Sequence, residues 1–156
     1  MKKNLADWLK ETVYGHKEWD GVISACQMWY YGSVVKSAWC ATCVSWAAYH
    51  CGIMHQIGGK NENVYYMMEA CKDSGYGTFI SGNDSDIQKG DILFYNWDSG
   101  KMSSASSKHV GVAATDTKST RDMILTIGGN QDDKCRNKYY PRKNLYAIFR
   151  PNYEEE

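Results

Sequence analysis

Proline is almost absent from this 156-residue chain, with Pro141 and Pro151 the only two. That scarcity, with no simple repeat, argues against proline-rich linkers, solenoids and low-complexity disorder. Long apolar runs are missing too. Nothing approaches the roughly 20 consecutive apolar residues of a membrane helix, so no membrane insertion is expected. The opening MKKNLADWLK is basic but lacks the apolar core of about 7–15 residues that defines a secretory signal. The chain is therefore expected to be made in the cytoplasm without a signal peptide. Net charge is absent as well: Lys+Arg and Asp+Glu stand at 18 each. The whole-chain field predicts no nucleic-acid partner. Histidine is scarce, with four residues, so each can be weighed singly.

What is present is unevenly spread. KCRNKYYPRK, Lys134 to Lys143, carries five basic residues and no acid, while the sequence closes on Glu154, Glu155 and Glu156. Lys134, Arg136 and Lys138 alternate and would share one face of a strand. A solvated strand face accounts for them, and five cations also suit a polymer rich in carboxylates. The length suits one domain, residues 1–156, able to bury about 70 % of its unfolded surface.

NLADWLKETVYG reads as a helix capped by Asn4 and ended by Gly15. Cys40, Cys43, Val44, Ala47, Ala48 and Cys51 form a continuous helical stripe, with Ser37 as its expected N-cap and Gly52 past its end. ENVYYMMEACKDSG gives a third helix, with Val64, Met67, Met68 and Cys71 on one face. Beyond Gly77 the pattern becomes strand-like, in DILFYNW, HVGVAAT, DMILTI and LYAIFR. Helices first and strands afterwards predict an α+β fold with a mostly antiparallel sheet. A long Ser-rich loop, NWDSGKMSSASSK, leads into His109.

Six cysteines without an export signal are expected to be free thiols. The stretch SAWCATCVSW, with Cys40 and Cys43 three apart, admits three readings. A thioredoxin-like redox pair at a helix start would need a buried parallel strand just before it, for which ACQMWYYGSVVKSA is a weak candidate. A structural zinc site would need a second ligand pair, and none matches, so no metal and no cofactor are expected. Cys43, Cys51 and Cys71 occupy apolar helical positions suited to small buried hydrophobes. That leaves Cys40 as a nucleophile at the head of its helix. A helix terminus contributes on the order of 0.3–1 kcal/mol, too little to ionise a thiol of ordinary pKa ~8.5. An imidazolium partner is required. His16 and His55 lie in polar loops, and His50 sits about 15 Å up Cys40's own helix by helical rise. His109, at a strand start beside a loop, is the best candidate. A neutral orienter for its second ring nitrogen is available in Asn130, which otherwise reads as a simple Gly-Asn turn.

These blocks resemble one family. WCATCVSWAAYHCGI is similar to the nucleophile helix of CHAP-type cysteine amidases and peptidases, relatives of NlpC/P60. KGDILFYNW, HVGVA, TIGGN and YAIFRPNY follow in the family's order, from Trp39 to Tyr153. The resemblance implies a papain-like fold, hydrolysis of peptidoglycan amide bonds, and Cys40, His109 and Asn130 as nucleophile, base and orienter. It further implies a phage endolysin that reaches bacterial peptidoglycan through a holin pore. Two departures stand out. Cys43 replaces a usual aromatic, and Gly128 replaces a frequent glutamate. Trp39 and Trp97 flank the catalytic segments and are candidates to stack on glycan, with core packing an equal reading for Trp39.

Overall fold

The computed structural model describes all 156 residues. Four helices come first: α1 (Leu5–Thr12), α2 (Gly21–Tyr31), α3 (Cys40–His50) and α4 (Val64–Asp73). Six strands follow: β1 (Thr78–Ser81), β2 (Ile92–Asn96), β3 (Lys108–Ala113), β4 (Met123–Gln131), β5 (Lys134–Pro141) and β6 (Leu145–Arg150). They form one antiparallel sheet in the order β1-β6-β2-β3-β4-β5. The fold is α+β, with helices and strands segregated along the chain.

Local chemistry explains most of the helix boundaries. The Asn4 side chain accepts from the Ala6 N–H, and Leu5, Leu9 and Val13 are buried on one face of α1 and its C-cap. Asn63 caps α4 through the Tyr65 and Tyr66 N–H groups, and Val64, Met67, Met68 and Cys71 are its buried face. All six residues of the α3 stripe are buried, but so are Ala41, Thr42, Ser45 and Trp46. α3 is thus a central helix, packed between the sheet and α1 and α2. Ser37 does not cap it. Trp39 holds the N-cap position and offers no side-chain hydrogen bond.

α2 takes up much of the stretch that offered only a weak candidate for a strand. Its apolar and aromatic residues lie on all sides, which hides the helical period. Asp20 caps it by accepting from Val22 and Ile23, and Gly32 (φ 76°) closes it in the left-handed region. A helix and a loop therefore precede Cys-x-x-Cys, not the strand a thioredoxin-like βαβ unit supplies.

The helices cover one face of the sheet. Ile92 and Phe94 of β2 face that core, while Leu93 and Tyr95 face a smaller one with Ile87, Ala113, Ile124, Leu145 and Ile148. Loops close the second face, tied by the buried Arg142 guanidinium, which donates to the carbonyls of Asn83, Ser85, Lys118 and Arg121. Two sequence blocks far apart in the chain meet here. Asp91, 1 % exposed, forms a forked pair with Arg150, both contacts at 2.9 Å. Tyr153 Oη donates to the Gly90 carbonyl at 2.6 Å and accepts from the Leu5 N–H, pinning the start of α1.

β4 and β5 join through Asp132 and Asp133, both left-handed (φ 58° and 64°), as a two-residue hairpin turn requires. Just before it the register shifts between Gly128 and Gln131, and Asn130 (φ 58°) lies in this bulge.

Candidate active site

The first residue of α3 and the second of β3 meet because α3 packs across β3 and β4. Cys40 and His109 are both nearly covered, at 6 % and 7 % exposure. Burial works against a charged thiol. The hydrogen bond and positive charge of His109, helped by the Val110 and Ala41 backbone amides, outweigh it and hold Cys40 below the ordinary thiol value. Burial likewise lowers His109, and the hydrogen bond and charge of Cys40, then the bond to Gln131, raise it above the ordinary imidazole value. Each group favours the ionised form of the other. Both shifts favour the thiolate–imidazolium form of the pair.

Gln131 orients the imidazole. His109 Nε2 lies 2.9 Å from Gln131 Oε1. The orientation of that amide follows from its other end: Gln131 Nε2 donates to the carbonyls of Thr126 (3.0 Å) and Arg136 (2.6 Å). Two carbonyls can only accept, so the nitrogen must face them and the oxygen must face the ring. An oxygen acceptor there requires a proton on His109 Nε2. Nδ1 is then the nitrogen left to exchange a proton with Cys40. Two glycines make the space. A Cβ on Gly128 would stand 3.1 Å from Gln131 Oε1, and one on Gly111 would stand 3.3 Å from it.

Asn130, the orienter expected from the sequence, does not reach His109 and makes no side-chain hydrogen bond. The bulge gives it a left-handed backbone and turns the next residue, Gln131, onto the His109 face. The β4 glycines were visible in the sequence, but strict alternation does not anticipate an inserted residue.

Trp39 also departs from expectation. It is 0 % exposed, its ring edge seated over Gly129, where a Cβ would stand only 2.6 Å from it. It is a core residue and presents no surface to a ligand. Trp97, 37 % exposed, is available. It stacks on Tyr95 (5.6 Å, 10°) and packs beside Tyr140 (5.3 Å), whose ring is 5.2 Å from His109. Tyr140 was not anticipated as part of the site.

The remaining thiols are buried as well. Cys43 is 1 % exposed, and its hydrogen bond with Cys135, then burial, push its pKa well above the ordinary value. Burial pushes Cys26 up to about 12. All six cysteines are unpaired. The other histidines are engaged elsewhere: His16 with Asp20 (3.0 Å), His55 with Glu155 (2.7 Å), and His50 stacked on Trp8. Nowhere do three or more His, Cys, Asp or Glu side chains form a cluster that could hold a metal ion. No helix is long and apolar enough to cross a membrane. A surface recess bounded by Lys118, Arg121, Asp122 and Tyr139 shares no residue with the Cys40 site.

No protein-family model, curated protein or solved structure matches this chain.

Proposed function

We propose that this protein is a papain-like cysteine hydrolase that cleaves an amide bond of bacterial peptidoglycan, working as a CHAP-type amidase or endopeptidase in the manner of a phage endolysin. The observation that carries the chemistry is the Cys40–His109 pair at an uncapped helix start, with the imidazole tautomer fixed by Gln131. The substrate class rests on the ordered sequence blocks from Trp39 to Tyr153.

In this mechanism the Cys40 thiolate attacks the amide carbonyl carbon. Oxyanion charge is stabilised by first-turn N–H groups of α3, which no side chain caps. The His109 imidazolium gives its Nδ1 proton to the leaving amine, and the C–N bond breaks to leave a thioester on Cys40. Neutral Nδ1 then takes a proton from water, which attacks the thioester and frees the acid. Gln131 Oε1 accepts from Nε2–H throughout, without adding a charge that would have to be desolvated.

A thiol oxidoreductase using Cys40 and Cys43 is the competing class. Cys43 is enclosed in the core and held in its neutral form, unsuited to resolving a mixed disulfide. A wall-binding module without turnover is the other alternative.

The test is a mass-spectrometric digest of purified peptidoglycan by wild type and Cys40→Ala side by side. Fragments from wild type alone support the hydrolase, and their masses name the bond cut. Fragments from both proteins would remove Cys40 from its role. No fragments from either, across several wall chemotypes, would overturn the reading.

A further inference from the structure

The basic strand noted in the sequence borders the candidate site. Lys134, Arg136, Lys138 and Tyr140 alternate along β5 and so share a face. Tyr140 packs against His109 at 5.2 Å and Trp97 at 5.3 Å, and Lys138 Nζ stands 5.7 Å from the Tyr140 ring centre. The site therefore has an aromatic wall with a cationic rim on the His109 side of Cys40.

That rim already holds a carboxylate. The tight turn after β4 sends Asp132 back across the hairpin, where Oδ1 accepts from Lys138 Nζ and Oδ2 from Arg136 Nη1, both at 2.9 Å. Its pKa is held below the ordinary value, by the Lys138 hydrogen bond first. Donors remain beyond Asp132. Arg136 Nη2 and two of the three Lys138 N–H bonds find no acceptor in the protein, and both side chains are half-exposed. Three cations against Asp132 and Asp133 leave this end of the hairpin positive in a chain whose total charge is zero.

We propose that Lys138 and Arg136, at the rim of the Trp97–Tyr140 wall, form a carboxylate-recognising subsite, so that the preferred substrate is a wall peptide bearing a free carboxylate beside the scissile amide. Asp132 aligns the two cations, and the aromatic wall packs on the aliphatic part of the same residue. This inference rests on the hydrolase reading above and narrows its substrate class.

The experiment uses two muropeptides identical but for one position, a free carboxylate in one and its carboxamide in the other. Cleavage is followed by liquid chromatography for wild type, Lys138→Gln and Lys138→Arg. Wild type should favour the free acid in kcat/KM by on the order of tenfold, the scale of a hydrogen bond to a charged group at a half-exposed site. Lys138→Gln should bring that ratio to within about twofold, Lys138→Arg should retain it, and added salt should shrink it in wild type. Equal cleavage of both peptides by wild type, or an undiminished preference in Lys138→Gln, overturns the subsite and leaves the hydrolase standing. Cleavage of neither peptide by wild type removes both.

Discussion

Gln131 and Asn130 are neighbours in sequence and opposites in what they do. Gln131→Ala removes the acceptor on His109 Nε2 and leaves the Thr126 and Arg136 carbonyls without their donor. Turnover should fall by roughly 10²-fold, at the low end of what a positioned acid–base group contributes. Asn130→Gly keeps the left-handed backbone and should leave kcat/KM close to wild type. A steady-state comparison of the two variants separates the assignments, and equal losses would return the orienting role to Asn130. Gln131→Glu is not a conservative improvement, because its second oxygen would face two carbonyls at hydrogen-bond distance. One turn along α3 from Cys40, Cys43→Ser places a hydroxyl in a fully covered site. A cost of about 1–3 kcal/mol is expected from denaturant titration, with fragment masses from peptidoglycan unchanged. The pairing of Cys40 with His109 was readable from residue type and helix position alone. Gln131 was not, since its role depends on one extra residue in a strand.

Between elements, the glycines of β4 and the ion pair beneath β2 decide how closely helix and sheet approach. Gly129→Ala would put a methyl carbon 2.6 Å from the Trp39 ring and 2.9 Å from the Cys43 Cβ, so α3 must move away from β4. A loss of about 1–3 kcal/mol is expected, as for other overpacked cores, together with a drop in turnover as Cys40 shifts from His109. Arg150→Ala leaves the covered Asp91 carboxylate without its fork and should cost about 3–5 kcal/mol, measured by thermal or denaturant unfolding. Three of the four helices and four of the six strands were legible in the sequence through period and composition. α2 was not, because a helix apolar all round has no periodic face, and β1 is too short to show a pattern. β5 was legible only as an alternation of cations. The Ser37 cap failed because α3 starts at Cys40 with Trp39 in the N-cap position, whose side chain caps nothing.

At the scale of the whole molecule, activity should follow a bell in pH whose limbs belong to the coupled pair. In the proposed mechanism turnover needs thiolate and imidazolium together. The acid limb is the protonation of Cys40, displaced below the usual thiol value, and the basic limb is the loss of the His109 proton, displaced above the usual imidazole value. As pH falls through the first, the nucleophile is lost; as it rises through the second, the leaving amine loses its acid. Because Gln131 contributes to raising His109, Gln131→Ala should move the basic limb to lower pH, and a kcat/KM profile of both proteins reads this directly. The net-neutral composition said nothing of such a pair, since it depends on which two residues the fold brings together.

The sheet order β1-β6-β2-β3-β4-β5 also has a consequence in time. β6 lies between β1 and β2, yet it is the last of the six strands to leave the ribosome. A nascent chain can form the β2–β5 meander behind His109, but the gap beside β2 stays open until β6 emerges, and Asp91 waits for Arg150. Such long-range closure is slow, and the sheet cannot be completed before β6 emerges. With the same linker tethering each to the ribosome, a chain ending at Asn144 should lack the completed six-stranded sheet and release no wall fragments, whereas one running past Tyr153 should complete the sheet and release them.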